Sequence, residues 1–288
     1  MADEEQIALL FPGQGSQTSD MRDLVERFRP GLEERARDTV GEDPFERSNE
    51  GTRWAQPAIF CAALAGWESL RERLEPGLMA GHSLGEITAL VAAGALSEDD
   101  GLRLVAARGR LMQGAGERAG DTGMLAVRGS SSEVGDAATR HGLTVANDNS
   151  PEQIVLSGSA AGLEAAAAEL TERGLRSKRL PVGGAFHSPA MAPAAAPFRE
   201  LLADVEVAEP SVPVLSCVTA QPFDDVRERL AEAITSPVRW LDVMRSLRAL
   251  GAVRYVETGP GNVLTGLVRK SLDGVEAEAP VTLEPARA

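Results

Sequence analysis

The sequence predicts a two-part α/β protein, and three observations carry that prediction. Short runs such as IALLF, LMAG, PVLSCV and VRYVET are continuously apolar and bounded by glycine, proline or charge, the pattern of strands buried on both faces. Alanine- and leucine-rich segments with helical character separate them, and strands alternating with helices give a parallel sheet covered on both sides. From Arg118 to Val182 the order of elements changes to β-α-β-β-α-β, a split unit with its own antiparallel sheet.

Taken in order, IALLF is the first strand and runs at once into the uncharged loop PGQGSQ, Pro12 to Gln17. LMAG is the next strand, followed by Gly81-His82-Ser83-Leu84-Gly85 and an apolar helix. In LSEDDGLRLVAARGRLMQ, Ser97 can cap a helix with Asp100 three residues on, and Leu104, Val105, Leu111 and Met112 form one apolar stripe. The inserted unit reads as strand GMLAV, helix SEVGDAATRHG, strands LTVAN and QIVLSG joined by DNSPE, helix AGLEAAAAELTERG and strand SKRLPV. This order is that of a ferredoxin-like subdomain over residues 118–182, set between the two parts, 1–117 and 183–288, of a larger body. The closing DGVEAEAPVTLEPARA reads as a polar, loose tail.

Composition narrows the function classes. A formal net charge of −14 argues against nucleic acid and anionic membrane as partners, because both require a basic surface. No run reaches the roughly 18 to 20 apolar residues of a membrane span, and MADEEQ lacks the basic start of a signal peptide, so a cytoplasmic location is expected. Cys61 and Cys217 have neither metal-ligand nor CxxC spacing and read as buried free thiols. No metal or resident cofactor is expected.

The chemistry concentrates in a few stretches. Gly81-His82-Ser83-Leu84-Gly85, between a strand and a helix, has the context of a nucleophile elbow, in which glycines relieve a sharp turn and the serine projects at a helix N-terminus. The rival reading is a glycine turn with a solvated serine. With an elbow, the N–H of Leu84 faces a developing oxyanion, and Gln14 in PGQGSQ is placed to supply the second donor. That loop lacks the third glycine of a dinucleotide fingerprint and the lysine of a P-loop.

Of three histidines, His187 in GGAFHSPAM is the first choice as base. His141 sits at a helix end, and His82 adjoins the serine and points away from it. No acid between serine and histidine stands out, so a Ser-His dyad oriented by a main-chain carbonyl is the simpler expectation. Arg108 lies within its helix's apolar stripe. Its fixed charge needs an anion, either a protein carboxylate or the free acid of an acyl substrate.

Taken together, FPGQGSQ, AQPAIF, GHSLGE, ARGRLMQ, VANDNSPEQIVLSG, GAFHS, SPVRW and ETGPGNVLTGL resemble the malonyl-CoA:acyl carrier protein transacylase family, which includes the acyltransferases of polyketide synthases. The resemblance implies an α/β-hydrolase-like body with the ferredoxin-like insert. It also implies a monomer that moves malonyl from malonyl-CoA through an ester on Ser83 to the phosphopantetheine thiol of an acyl carrier protein. His187 would be the base, Gln14 and Leu84 the oxyanion donors and Arg108 the holder of the malonyl carboxylate. Gln56, Asn147, His82 and Phe186 would line the substrate site, and the Ala233 carbonyl would orient His187, at a position where the family often has glutamine. Phe186 is similar to malonyl-selective relatives, whereas a serine there accompanies methylmalonyl use. Arg176, Lys178, Arg179, Arg269 and Lys270 are the expected contacts for an acidic carrier. The alternatives are an editing acyl hydrolase or a transferase of another acyl group on the same scaffold, and a non-catalytic carrier-docking module.

Overall fold

The computed structural model describes residues 6–280. In chain order its elements are β1 (Gln6–Phe11), α1 (Met21–Phe28), α2 (Leu32–Val40), α3 (Thr52–Leu70), β2 (Leu78–Gly81), α4 (Gly85–Ala92) and α5 (Glu98–Ala119). The middle stretch holds β3 (Thr122–Arg128), α6 (Ser131–Arg140), β4 (Thr144–Ser150), β5 (Gln153–Ser159), α7 (Ala160–Glu172) and β6 (Arg176–Arg179). A short 3-10 turn at Pro189–Met191 then leads to α8 (Ala192–Ala203), β7 (Val214–Leu215), α9 (Val226–Glu232), α10 (Trp240–Ala249), β8 (Ala252–Glu257), α11 (Val263–Ser271) and β9 (Glu276–Glu278).

Five strands form an all-parallel sheet in the order β7-β2-β1-β8-β9. The continuous apolar runs have the expected cause: Leu9 and Phe11 of β1 face one core, while Ala8 and Leu10 face the other. The first core is closed mainly by α3, α4, α5 and α8, the second by α10 and α11. The sheet is thus the middle of three layers.

The second sheet is antiparallel, ordered β4-β5-β3-β6, with Leu125, Val127, Ile154 and Leu156 packed beneath α6 and α7. This is the ferredoxin-like arrangement. Its outer strand β4 is bonded to the body: the Asp148 N–H donates to the Val238 carbonyl at 2.9 Å and the Val238 N–H to the Ala146 carbonyl at 2.8 Å.

Two expectations need correction. PVLSCV forms a strand only at Val214–Leu215, because the chain turns at once and the Ala220 N–H donates back to the Ser216 carbonyl. The expected tail is structured at its start, where Glu276–Glu278 add a parallel edge strand to β8 and Arg254 pairs with Glu278. The remainder of that segment, 281–288, lies outside the described residues, as does the MADEE start. Among the described residues no helix is long and apolar enough to cross a membrane.

Candidate active site

The register of the parallel sheet creates the site. Phe11 of β1 lies opposite Gly81 of β2, and Leu10 lies opposite Glu257 of β8. All three strands therefore end at one edge, and their following loops meet there, as ligand-binding loops do in open parallel sheets.

After β2 the chain turns sharply into α4, with Ser83 at φ 55°. A non-glycine residue in that region is strained, and the surroundings must hold it. The glycines on either side make this possible. A Cβ on Gly81 would lie 1.9 Å from the Gly85 carbonyl group, and one on Gly85 would lie 2.2 Å from the Phe11 carbonyl oxygen. Gly85→Ala is therefore expected to displace the turn, lowering thermal stability by about 3 kcal/mol and removing activity. A thermal melt and a transfer assay check both effects.

Ser83 meets two groups from distant parts of the chain. Its hydroxyl lies 2.8 Å from His187 Nε2 and accepts a hydrogen bond from Arg108 Nη2 at 3.1 Å. His187 also has φ 55° and is buried, and its Nδ1 lies 2.9 Å from the Ala233 carbonyl oxygen. A carbonyl can only accept, which leaves Nε2 bare to take the serine proton. Burial, then the Arg108 and His82 charges, push the His187 pKa down to about 3 from 6.5. The imidazole is consequently a neutral base across the whole working range.

The sign of that shift has two consequences. Acylation of Ser83 by an acyl-CoA that lacks a free acid is expected to show no imidazole limb near pH 6.5, and rapid-quench rates between pH 5 and 8 test this. Below pH 6.5 the unfolded chain binds a proton that the folded one refuses, so this group lowers stability as pH falls.

Arg108 is 3% exposed at the centre of α5, on the stripe formed by Leu104, Val105 and Met112. Ser97 caps this helix as expected, its hydroxyl accepting from the Asp100 N–H. The guanidinium donates to Gln56 Oε1 at 2.9 Å as well as to Ser83, and among the described residues it forms no ion pair with a carboxylate. Burial pulls its pKa down to about 10, still charged at neutral pH. Gln56 presents its oxygen because its amide nitrogen is held by Thr52 Oγ1 at 2.9 Å and faces Met112 Sδ.

The N–H groups of Leu84, ahead of the α4 ladder, and of Gln14, in the loop after β1, have no acceptor among the described residues. Both residues line the cleft around Ser83, with Phe186, Met112, Asn147 and His82. Among the described residues His82 makes no side-chain hydrogen bond to Ser83. Its Nε2 bonds Asn149 Oδ1 at 2.9 Å, with Asn147 Nδ2 at 3.4 Å, and its ring meets Trp240 edge-on. His141 sits at the end of α6, 2.9 Å from Glu169 Oε2, and is far from this chemistry in role.

Of the five expected docking cations, Arg176, Lys178 and Lys270 share one surface groove with Arg128, while Arg179 and Arg269 donate to the Thr122 and Ala277 carbonyls. Residues not foreseen from the sequence are Thr52, Met112 as a partner of Gln56, Asn149, and Glu86 directly beneath the elbow. Glu86 did carry a signal, being the lone charge in GEITALVAAG.

Residues 9–286 match the acyl transferase domain family. The chain belongs to this family. A polyketide biosynthesis protein of Burkholderia thailandensis, ThaF, is 40% identical to this acyl transferase over 283 residues, covering 92% of this chain and 24% of the relative. The malonyl CoA-acyl carrier protein transacylase of Bacillus subtilis is 39% identical over 302 residues, covering 96% and 95%. Among solved structures, a type II PKS acyl-carrier protein in complex with its malonyl-transacylase superposes with a TM-score of 0.87 at 31% identity, covering 96% of each chain.

Proposed function

We propose that this acyl transferase moves a malonyl group from malonyl-CoA to the phosphopantetheine thiol of an acyl carrier protein through an ester on Ser83. The observation that carries this reading is the Arg108 guanidinium, buried, closing no ion pair among the described residues and 3.1 Å from the serine hydroxyl. A cation so placed suits an acyl group whose far end is an acid. The relatives named for malonyl transfer and for the carrier complex support the same substrates.

The steps follow from the geometry. Ser83 Oγ attacks the thioester carbonyl while its proton passes to His187 Nε2, and the Ala233 carbonyl steadies the imidazolium that forms. The carbonyl oxygen becomes an oxyanion facing the N–H groups of Leu84 and Gln14 and the N-terminus of α4. Collapse breaks the carbon–sulfur bond, and the CoA thiolate takes the proton from His187. In the second half His187 removes the proton of the carrier thiol, the thiolate attacks the malonyl ester, and Ser83 recovers its proton. In this reading Phe186 is the wall that limits substituents on the malonyl α-carbon, and Gln56 holds Arg108 in place. Asn147 and His82 complete the lining, no resident cofactor or metal is used, and the groove of Arg128, Arg176, Lys178 and Lys270 meets the acidic carrier. The enzyme acts as a cytoplasmic monomer.

The test is intact-protein mass spectrometry after mixing with malonyl-CoA. The expected result is one malonyl group on Ser83, stable in buffer and discharged on adding a carrier protein. Rapid loss in buffer alone would assign a hydrolase, and no adduct would assign a non-catalytic module.

A further inference from the structure

Glu86 is a buried acid that the transfer steps do not use. It stands in the first turn of α4, three residues after Ser83, and is 1% exposed. One carboxyl oxygen accepts the Cys217 N–H at 2.7 Å, and the other is buried without a hydrogen-bond partner. An unpaired carboxylate oxygen in an apolar interior is costly, so something must compensate for it.

Arg108 on α5, whose Nη2 bonds Ser83 three residues before Glu86, interacts with Glu86 electrostatically, and among the described residues no ion pair closes between them. From the segment after β7 come the Cys217 thiol, whose own pKa burial raises well above its usual value, and the Ser216 hydroxyl. β1, β2 and β7 carry no ionisable residue. On α3, Cys61 is buried with its pKa raised, and Arg53 and Glu68 lie toward the surface. Burial raises the Glu86 pKa to about 7, against the opposing pull of the Cys217 N–H, Arg108 and Ser216.

We infer that Glu86 is a positioning residue that sets how much of the Arg108 charge is offered to an acyl carboxylate, and that it takes up a proton when a malonyl group arrives. This rests on the reading of Arg108 given above. Ionised, Glu86 offsets the guanidinium and repels a second carboxylate placed on it; protonated, it leaves the full cation to the substrate. The malonyl acid is ionised throughout, so its arrival moves the balance at Glu86 toward the neutral form.

The first experiment uses the wild-type enzyme. The ratio of kcat/KM for malonyl-CoA to that for acetyl-CoA is measured from pH 6 to pH 8.5. The ratio is expected to fall about tenfold as pH rises, the scale of one unit charge acting across a buried site. The second mixes excess enzyme with malonyl-CoA in weak buffer containing a pH indicator. Proton uptake is expected with malonyl-CoA and none with acetyl-CoA. In Glu86→Gln the ratio becomes flat with pH and the uptake vanishes, which a purely structural role would not produce. A flat wild-type ratio with no uptake, while Arg108→Ala still penalises malonyl alone, overturns the role of Glu86 and leaves that of Arg108 standing. Equal losses of malonyl and acetyl transfer in Arg108→Ala remove both.

Discussion

With Ser83 replaced by alanine, no malonyl adduct forms and transfer to a carrier protein falls by about four orders of magnitude or more. The expectation follows from the elbow. Ser83 Oγ is the hydroxyl bonded to the bare imidazole nitrogen, and the free N–H groups of Leu84 and Gln14 line the same cleft. His187→Ala is expected to lose nearly as much, because a hydroxyl without its base is a poor nucleophile at neutral pH. The two variants differ in one measurable way. After long incubation the His187 variant accumulates adduct slowly, whereas Ser83→Ala accumulates none, and intact-mass spectra separate them. The two losses are not additive, since both residues serve one proton transfer.

Arg108→Ala is expected to lower kcat/KM for malonyl-CoA by about two to three orders of magnitude while changing acetyl transfer by about tenfold or less. A buried guanidinium in contact with a carboxylate contributes chiefly to the substrate that carries one. The smaller loss with acetyl-CoA comes from the hydrogen bond of Nη2 to Ser83 Oγ. Arg108→Lys is not expected to rescue, because an ammonium cannot hold Gln56 Oε1 and a carboxylate in one plane. Steady-state kinetics with both acyl-CoAs decide the point.

Much of this was legible in the sequence because the chemistry is local there. GHSLG names its own turn, and Arg108 declares itself as a charge on an apolar stripe. The split β-α-β-β-α-β unit could be read because its short apolar runs and alanine-rich segments follow one another in that order, bounded by turn residues. What could not be read depends on pairing across the chain. The amide of Gln56 is fixed by Thr52 and Met112, which only the packing of α3 on α5 brings together. His82 is occupied by Asn149 from the insert, a contact between residues 67 positions apart. β9 was missed because Glu276–Glu278 carry no apolar pattern; their strand is formed by backbone bonds to β8 and the Arg254–Glu278 pair. PVLSCV was overextended because its apolar character continues past the point where the chain turns.

The backbone bridge between β4 and Val238 fixes where the insert is moored. It is fastened beside the cleft, at Ala146 and Asp148, as well as at its two covalent junctions. Swinging this lobe aside would break those bonds and also pull Asn149 from His82, the residue beside the nucleophile. The lobe and the body thus share one anchored seam, so Asn147 and Asn149 stay in register with the residues around Ser83.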